Sequence, residues 1–250
     1  MAILCLDVGN THAHWGLVAG REILAHGELP TAALSTDALR ALLTEHAPTG
    51  IALASVVPTA TATIEPVLLG SGLPYHHLRH DTVCGLGFDY PRPAEVGQDR
   101  LADCVGAQLV VGAPAVIVGM GTATTVDILT DKGYAGGIIA PGLGVMTRYL
   151  HERTALLPAL DPADVLGGPA IGKSTVDAMR SGCALGFAGM IGALLDAVTA
   201  ELTKQGGQPP AVIVTGGAAV YLPASWRERV RHEPHLTLLG LAESHRRSRP

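Results

Sequence analysis

The chain is poor in aromatic residues, poor in charge and sparing with cysteine. Phe, Trp and Tyr make up 4% of its 250 residues and charged side chains 16%, against 48% hydrophobic. Its interior must therefore be built from Ala, Val, Leu and Ile, as in many α/β enzymes. A formal net charge of -5 excludes a general attraction to a nucleic-acid backbone or an anionic membrane. Cys5, Cys84, Cys104 and Cys183 form no C-x-x-C pair, so neither a zinc site nor a disulfide framework is signalled, and a reduced, cytoplasmic protein is expected. No basic segment precedes the first apolar run, and Asp7 interrupts that run, which argues against a signal peptide. Residues 104–126 are uncharged, but Pro114, four glycines and three threonines break them up. They read as helix end, turn, strand and turn rather than a membrane span. Arg246, Arg247 and Arg249 read as a solvated, disordered tail.

What is present is a stretch that occurs twice. Ile3-Leu-Cys-Leu-Asp-Val-Gly-Asn-Thr-His-Ala-His-Trp-Gly-Leu-Val18 and Ala115-Val-Ile-Val-Gly-Met-Gly-Thr-Ala-Thr-Thr-Val-Asp-Ile-Leu129 each bring an apolar run to a Gly turn with Thr hydroxyls. The first copy has Asp7 two residues before its glycine, and the second has Gly119 there. Apolar runs bounded by turns predict strands at 2–6, 14–18 and 22–28, then at 51–55 and 76–78. Helical spacing predicts helices at 35–46, 60–69 and 99–110 around them, with an irregular loop at 81–98. After the break at Gly112-Ala-Pro114 the order restarts, with strands at 115–118, 124–130 and 135–140. Helices at 143–151 and 174–204 follow, the latter opened by a Ser174-Thr-Val-Asp177 capping box. A strand at 211–215 ends in Gly216-Gly217, and the chain returns to helix from 218. The fold expected is a duplicated α/β arrangement of two lobes, 1–112 and 113–250, with a cleft between them.

A Gly-rich hairpin turn lets backbone N–H groups approach a phosphate, and Ser, Thr or Asn side chains add donors. Two such turns could grip a polyphosphate, with Asp7 holding Mg²⁺ through water. Gly216-Gly217 could let a nucleotide base or ribose lie against the backbone. Taken singly, each is an ordinary turn, and it is their joint occurrence that points to a nucleotide.

This order of loops resembles the sugar-kinase and actin-like ATPase superfamily, which has a ribonuclease H-like fold. More narrowly, the chain resembles the type III pantothenate kinases from end to end. The match rests on Asp7-Val-Gly-Asn-Thr11, Ser55-Val-Val-Pro58, Tyr90 with Gly97-Gln-Asp-Arg100, and Gly121-Thr-Ala-Thr-Thr125 with Asp127. Gly133-Tyr-Ala-Gly-Gly137, Pro141-Gly142, Thr175 with Gly182, and Gly216-Gly217 complete it. The resemblance implies transfer of the γ-phosphoryl of ATP to the primary hydroxyl of pantothenate, the first step towards coenzyme A. It assigns ATP and Mg²⁺ to Asp7, Val8, Gly9, Asn10, Thr11, His12, Ala13 and His14, with Thr122 meeting the nucleotide from the other lobe. It makes Asp99 the acceptor of the hydroxyl proton, a task that suits a carboxylate. Arg100, a planar fork of donors, suits the pantothenate carboxylate or the transferring phosphate. Tyr90, Gly97, Gln98 and Thr175 complete the acceptor site. Outside the resemblance, Asp99 is a carboxylate at a helix start and Arg100 a surface ion-pair partner.

In the family the second loop usually reads Asp-x-Gly-Thr, and its Asp is associated with a monovalent cation, K⁺ or NH₄⁺. Gly119 removes that ligand and also reduces repulsion of ATP, so retained activity with a weak or absent potassium requirement is expected. The alternative is a non-catalytic nucleotide- or pantothenate-binding regulator on the same fold. The resemblance also implies a homodimer, and the apolar segment 182–200 is a natural contact. His76, His77, His80 and His151 match no zinc spacing and are expected at the surface or an interface.

Overall fold

The computed structural model describes residues 1–165, 168–204, 209–222 and 224–249. In β1 (Ile3–Val8) every residue but Asp7 is buried, the signature of a central strand. It pairs antiparallel with β2 (His12–Ala19), which pairs antiparallel with β3 (Glu22–Pro30). In α1 (Thr36–His46) the Ser35 hydroxyl accepts from Ala38 N at 3.2 Å and caps the first turn. Then β4 (Gly50–Ser55), fully buried, lies parallel to β1, and β5 (Tyr75–His77) follows α2 (Pro58–Gly70) and lies parallel to β4. The sheet order is β3-β2-β1-β4-β5, and α3 (Gln98–Val110) comes next in the chain.

The same plan is repeated by β6 (Ala115–Met120), β7 (Ala123–Thr130), β8 (Gly133–Pro141), α4 (Leu143–Glu152) and α5 (Thr175–Lys204). It is completed by β9 (Ala211–Thr215), α6 (Ala224–Arg227), β10 (Arg231–His232) and α7 (Leu236–Arg247). The second sheet runs β10-β9-β6-β7-β8, with β6 parallel to β9. Around β1 and around β6 the arrangement is thus the same: a meander on one side and parallel crossover strands on the other. Asp7 and Gly119 are each the fifth residue of the central strand.

One compact unit comprises Met1–Ala113, Leu129–Gly136 and His235–Pro250; the other comprises Pro114–Ile128 and Gly137–Pro234. The core of the first is built from Leu4, Leu6, Val8, Leu39, Ile51 and Leu53. That of the second uses Val116, Val118, Phe187, Ile191, Val214 and Trp226.

The end of the chain corrects the expectation of a disordered tail. Residues 236–247 are helical, with Leu236, Leu238, Leu239 and Leu241 buried. A β-carbon on Gly240 would overlap the Ala102 carbonyl, so α7 lies hard against α3. Arg246 and Arg247 both donate to the Glu243 carboxylate, at 2.7 and 2.8 Å. A fully buried Leu stabilises by about 2 kcal/mol, and four of them outweigh the pairs that the buried Glu243 carboxylate makes with the exposed Arg246 and the half-buried Arg247. The leucines therefore hold the helix.

In α5 the row Met179, Cys183, Phe187, Ile191 and Leu195, spaced by four, is buried. Gly182, Leu185, Gly186, Gly189, Ala193 and Ala197 are exposed. By length and composition α5 could cross a membrane, but Cys183, Phe187, Ile191 and Leu195 of that row pack into the core of the second unit, with Val116, Val118 and Val214 in the same cluster.

Candidate active site

The turn after β1 is braced from below. Gly9 N donates to His12 O (3.0 Å), the Thr31 hydroxyl donates to Gly9 O (2.7 Å), and Thr31 N donates to Thr11 O (2.9 Å). Val8 and Ala13 are buried at its root, while Asn10, Thr11 and His12 are exposed at its tip. His12 and His14 project from one side of β2 with ring centroids 6.4 Å apart. Burial holds His14 below the usual histidine range, with Glu28 opposing and His12 adding to that shift; His14 Nδ1 is 3.4 Å from the Glu28 carboxylate. Asp7 is half-buried between His14 and Ala54 of the adjacent strands. Dehydration, and then the Asp99 carboxylate, push its pKa up to about 7.

Asp99 reaches that neighbourhood because the start of α3 is tied to the end of β4. Val8 of β1 pairs with Ser55 of β4. Ser55 N donates to Gln98 Oε1 (2.7 Å), which also lies 3.1 Å from His77 Nε2. His77 Nδ1 lies 3.0 Å from Glu65, which accepts from Tyr75 Oη (2.9 Å). Gln98, expected to meet substrate, thus spends its carbonyl on positioning the helix. Asp99 sits in the first turn, where the helix dipole favours a carboxylate. Its Oδ1 is so near the backbone that a β-carbon on Gly97 would lie 2.5 Å away.

His76 and His77, expected at the surface or an interface, are instead covered by other elements of the same chain. His76 is buried, with Nε2 2.8 Å from Ser244 Oγ of α7, and His77 is half-buried over Glu65. They alternate on β5 and so face opposite sides, each of which is covered. His80 and His151 are exposed.

Arg100 Nη2 donates to Tyr134 Oη at 2.7 Å. Tyr90 meets the Tyr134 ring edge-on, with centroids 5.4 Å apart and planes at 81°. Tyr90 and Arg100 are thereby brought together around a buried tyrosine that sequence reasoning did not single out. The signal was available in the scarcity of aromatics, nine residues in all, two of which meet here.

In the second unit, Gly119 pairs with Thr215 of β9 and offers no side chain where β1 carries Asp7. Thr122 is exposed at the β6–β7 turn, whose carbonyl accepts from Gly142 N at 3.2 Å. Thr124 and Asp127 are buried on β7. The expected capping box forms: Ser174 Oγ accepts from Asp177 N (3.1 Å) and donates to Asp177 Oδ2 (2.8 Å). Thr175 follows it, exposed, on a cavity of about 490 Å³ that Met146, Tyr149, Leu150, Met179 and Cys183 also line. Among the described residues no group of three or more His, Cys, Asp or Glu side chains could hold a metal ion alone.

A profile of the type III pantothenate kinase family matches residues 3–197. A type III pantothenate kinase of Akkermansia muciniphila is 38% identical over 244 residues, covering 96% of this chain and 97% of that protein. A solved structure from Campylobacter jejuni, of a conserved protein described as a Baf family transcriptional activator, superposes with a TM-score of 0.61. Its identity is 18%, with 97% of each chain covered. The ROK hexokinase of Thermus thermophilus superposes at 0.54 with 16% identity, covering 98% of each. At these identities the two structures speak for the fold, that of the actin-like ATPases and ROK kinases.

Proposed function

The chain belongs to the type III pantothenate kinase family, and on that premise we propose which of its residues carry the reaction. The activity is ATP-dependent phosphorylation of pantothenate, the first step of coenzyme A biosynthesis. Such a transfer needs in-line positioning and compensation of phosphate charge more than covalent help. Asp99 accepts the proton of the attacking hydroxyl, and Arg100 holds the pantothenate carboxylate. Tyr90, Gly97, Gln98 and Thr175 shape the acceptor site. The backbone and side chains of residues 7–14 hold the ATP phosphates, and Thr122 meets the nucleotide.

The observation that carries this reading is geometric: the Ser55–Gln98 hydrogen bond ties the start of α3, which carries Asp99, to the end of β4, the strand paired with the end of β1 that carries Asp7. A carboxylate such as Asp7, at the root of a turn rich in backbone donors, suits a divalent cation that accompanies phosphate. Asp7 would hold Mg²⁺ through water, and the ion would offset the charge of the phosphates. A monovalent cation fits less well, since Gly119 supplies no carboxylate, and no step is assigned to K⁺ or NH₄⁺.

The exposed small residues of α5 form a face on which a second copy can pack closely, and we assign the homodimer contact there. A cytoplasmic location accords with the cysteine usage and with a soluble metabolic kinase.

The test is Asp99→Asn. Turnover falls about 10²–10⁴-fold while Mg-ATP affinity stays within a few-fold. Turnover within threefold of the parent would remove Asp99 from the chemistry. ATP binding by the unmodified chain without phosphorylation of any acceptor would favour the regulator instead.

A further inference from the structure

We propose that Tyr134 is a positioning residue that holds the Arg100 guanidinium in place for the carboxylate of the acceptor. The inference rests on the reading of Arg100 as the carboxylate partner and adds the device that makes it selective.

An arginine side chain loses much rotamer freedom when it is held in one geometry, so a preorganised guanidinium binds an anion better than a mobile one. Tyr134 supplies the restraint twice. Its hydroxyl accepts from Arg100 Nη2 at 2.7 Å, and its ring centroid lies 5.7 Å from Arg100 Cζ, within cation–π range. A guanidinium has five N–H donors in a fixed fork, so it can bond a tyrosine and a carboxylate at once.

Tyr134 is itself fixed. It is 1% exposed. Its N donates to Gly87 O and its O accepts from Asp89 N, both at 2.9 Å. Gly87 and Gly133 pass so closely that a β-carbon on Gly133 would overlap the Gly87 backbone, and Gly133 has φ 110°. Lys132 Nζ lies 3.6 Å from Asp89 across the same junction. The tip of the β7–β8 hairpin is thus stitched to the loop that carries Tyr90, and Tyr90 packs edge-on with the Tyr134 ring. A residue needed only to fill this space could be Phe. The hydroxyl directed at Arg100 is what a Phe would lack.

Tyr134→Phe keeps the ring and removes the hydroxyl. Steady-state kinetics of the full-length protein would be compared with pantothenate and with pantothenyl alcohol, in which the carboxylate is replaced by a hydroxymethyl group. The expected result is a KM for pantothenate raised about tenfold, the loss of one charge-assisted hydrogen bond. kcat stays within twofold, and the KM values for ATP and for the alcohol stay unchanged. Equal shifts for both acceptors, or no shift for either, would overturn the inference. Arg100→Met, run in parallel, separates the two levels. If it discriminates between the acceptors and Tyr134→Phe does not, only the role of Tyr134 fails. If Arg100→Met does not discriminate, the reading of Arg100 fails and takes this inference with it.

Discussion

The Asp99 carboxylate lies against the α-carbon of Gly97, so close that a β-carbon at 97 would sit 2.5 Å from Asp99 Oδ1. Gly97 is required there for space rather than for its backbone angles, since φ is -57°. Gly97→Ala is therefore expected to displace the carboxylate and lower kcat by about tenfold or more, because small misplacements of reacting groups are costly. The melting temperature should change little. Kinetics and a thermal melt on one preparation check both halves.

Asp7 makes stability depend on pH in an unusual direction. Its pKa is raised from 3.8 to about 7, so between those values the native state holds a proton that the unfolded state has released. Stability is then fully present below about pH 4 and is lost as pH rises through 7. Asp7→Asn removes this loss. The variant should be more stable than the parent at pH 8, by about 1–2 kcal/mol given partial solvent access, with a smaller difference at pH 5. It should also bind Mg-ATP poorly. Urea unfolding at the two pH values decides it, and a variant less stable at pH 8 would contradict the assignment.

Much of this architecture is legible from periodicity. The meander, the helices at α1 and α3, and the equivalence of the two Gly turns follow from local pattern, because short-range spacing encodes which face is buried. The parts that escape depend on distant partners. The arginines of α7 read as a tail until Leu236, Leu239 and Leu241 are seen buried and Gly240 meets Ala102. His76 reads as a surface or interface residue because its partner, Ser244, is 168 residues away. Gln98 tethers α3 through Ser55 and His77, residues on two different strands. Tyr134 lies in Leu129–Gly136, which falls in the same compact unit as Met1–Ala113, a placement no local pattern encodes.

Gly119→Asp restores a carboxylate at the place in β6 that Asp7 occupies in β1. The parent is expected to turn over at similar rates in potassium and in sodium buffers, and the variant to gain a rate that rises with potassium. Equal cation responses in parent and variant would show that position 119 does not face the cation.

The dimer assigned to α5 makes a hydrodynamic prediction. The unmodified chain should scatter light with about twice its 25.7 kDa mass at micromolar concentration. Ala193→Arg, on the exposed face, should shift it to the monomer while the chain stays folded. A monomeric parent would contradict the assignment.

The most direct measurement is mass-spectrometric detection of 4′-phosphopantothenate from the unmodified chain with Mg-ATP and pantothenate, in buffer free of potassium and ammonium. The account predicts product, formed at a turnover of roughly 1–100 s⁻¹ as is usual for kinases. ATP bound with no phosphorylated acceptor, there and in potassium buffer alike, would contradict it and leave a nucleotide-binding protein on a kinase fold.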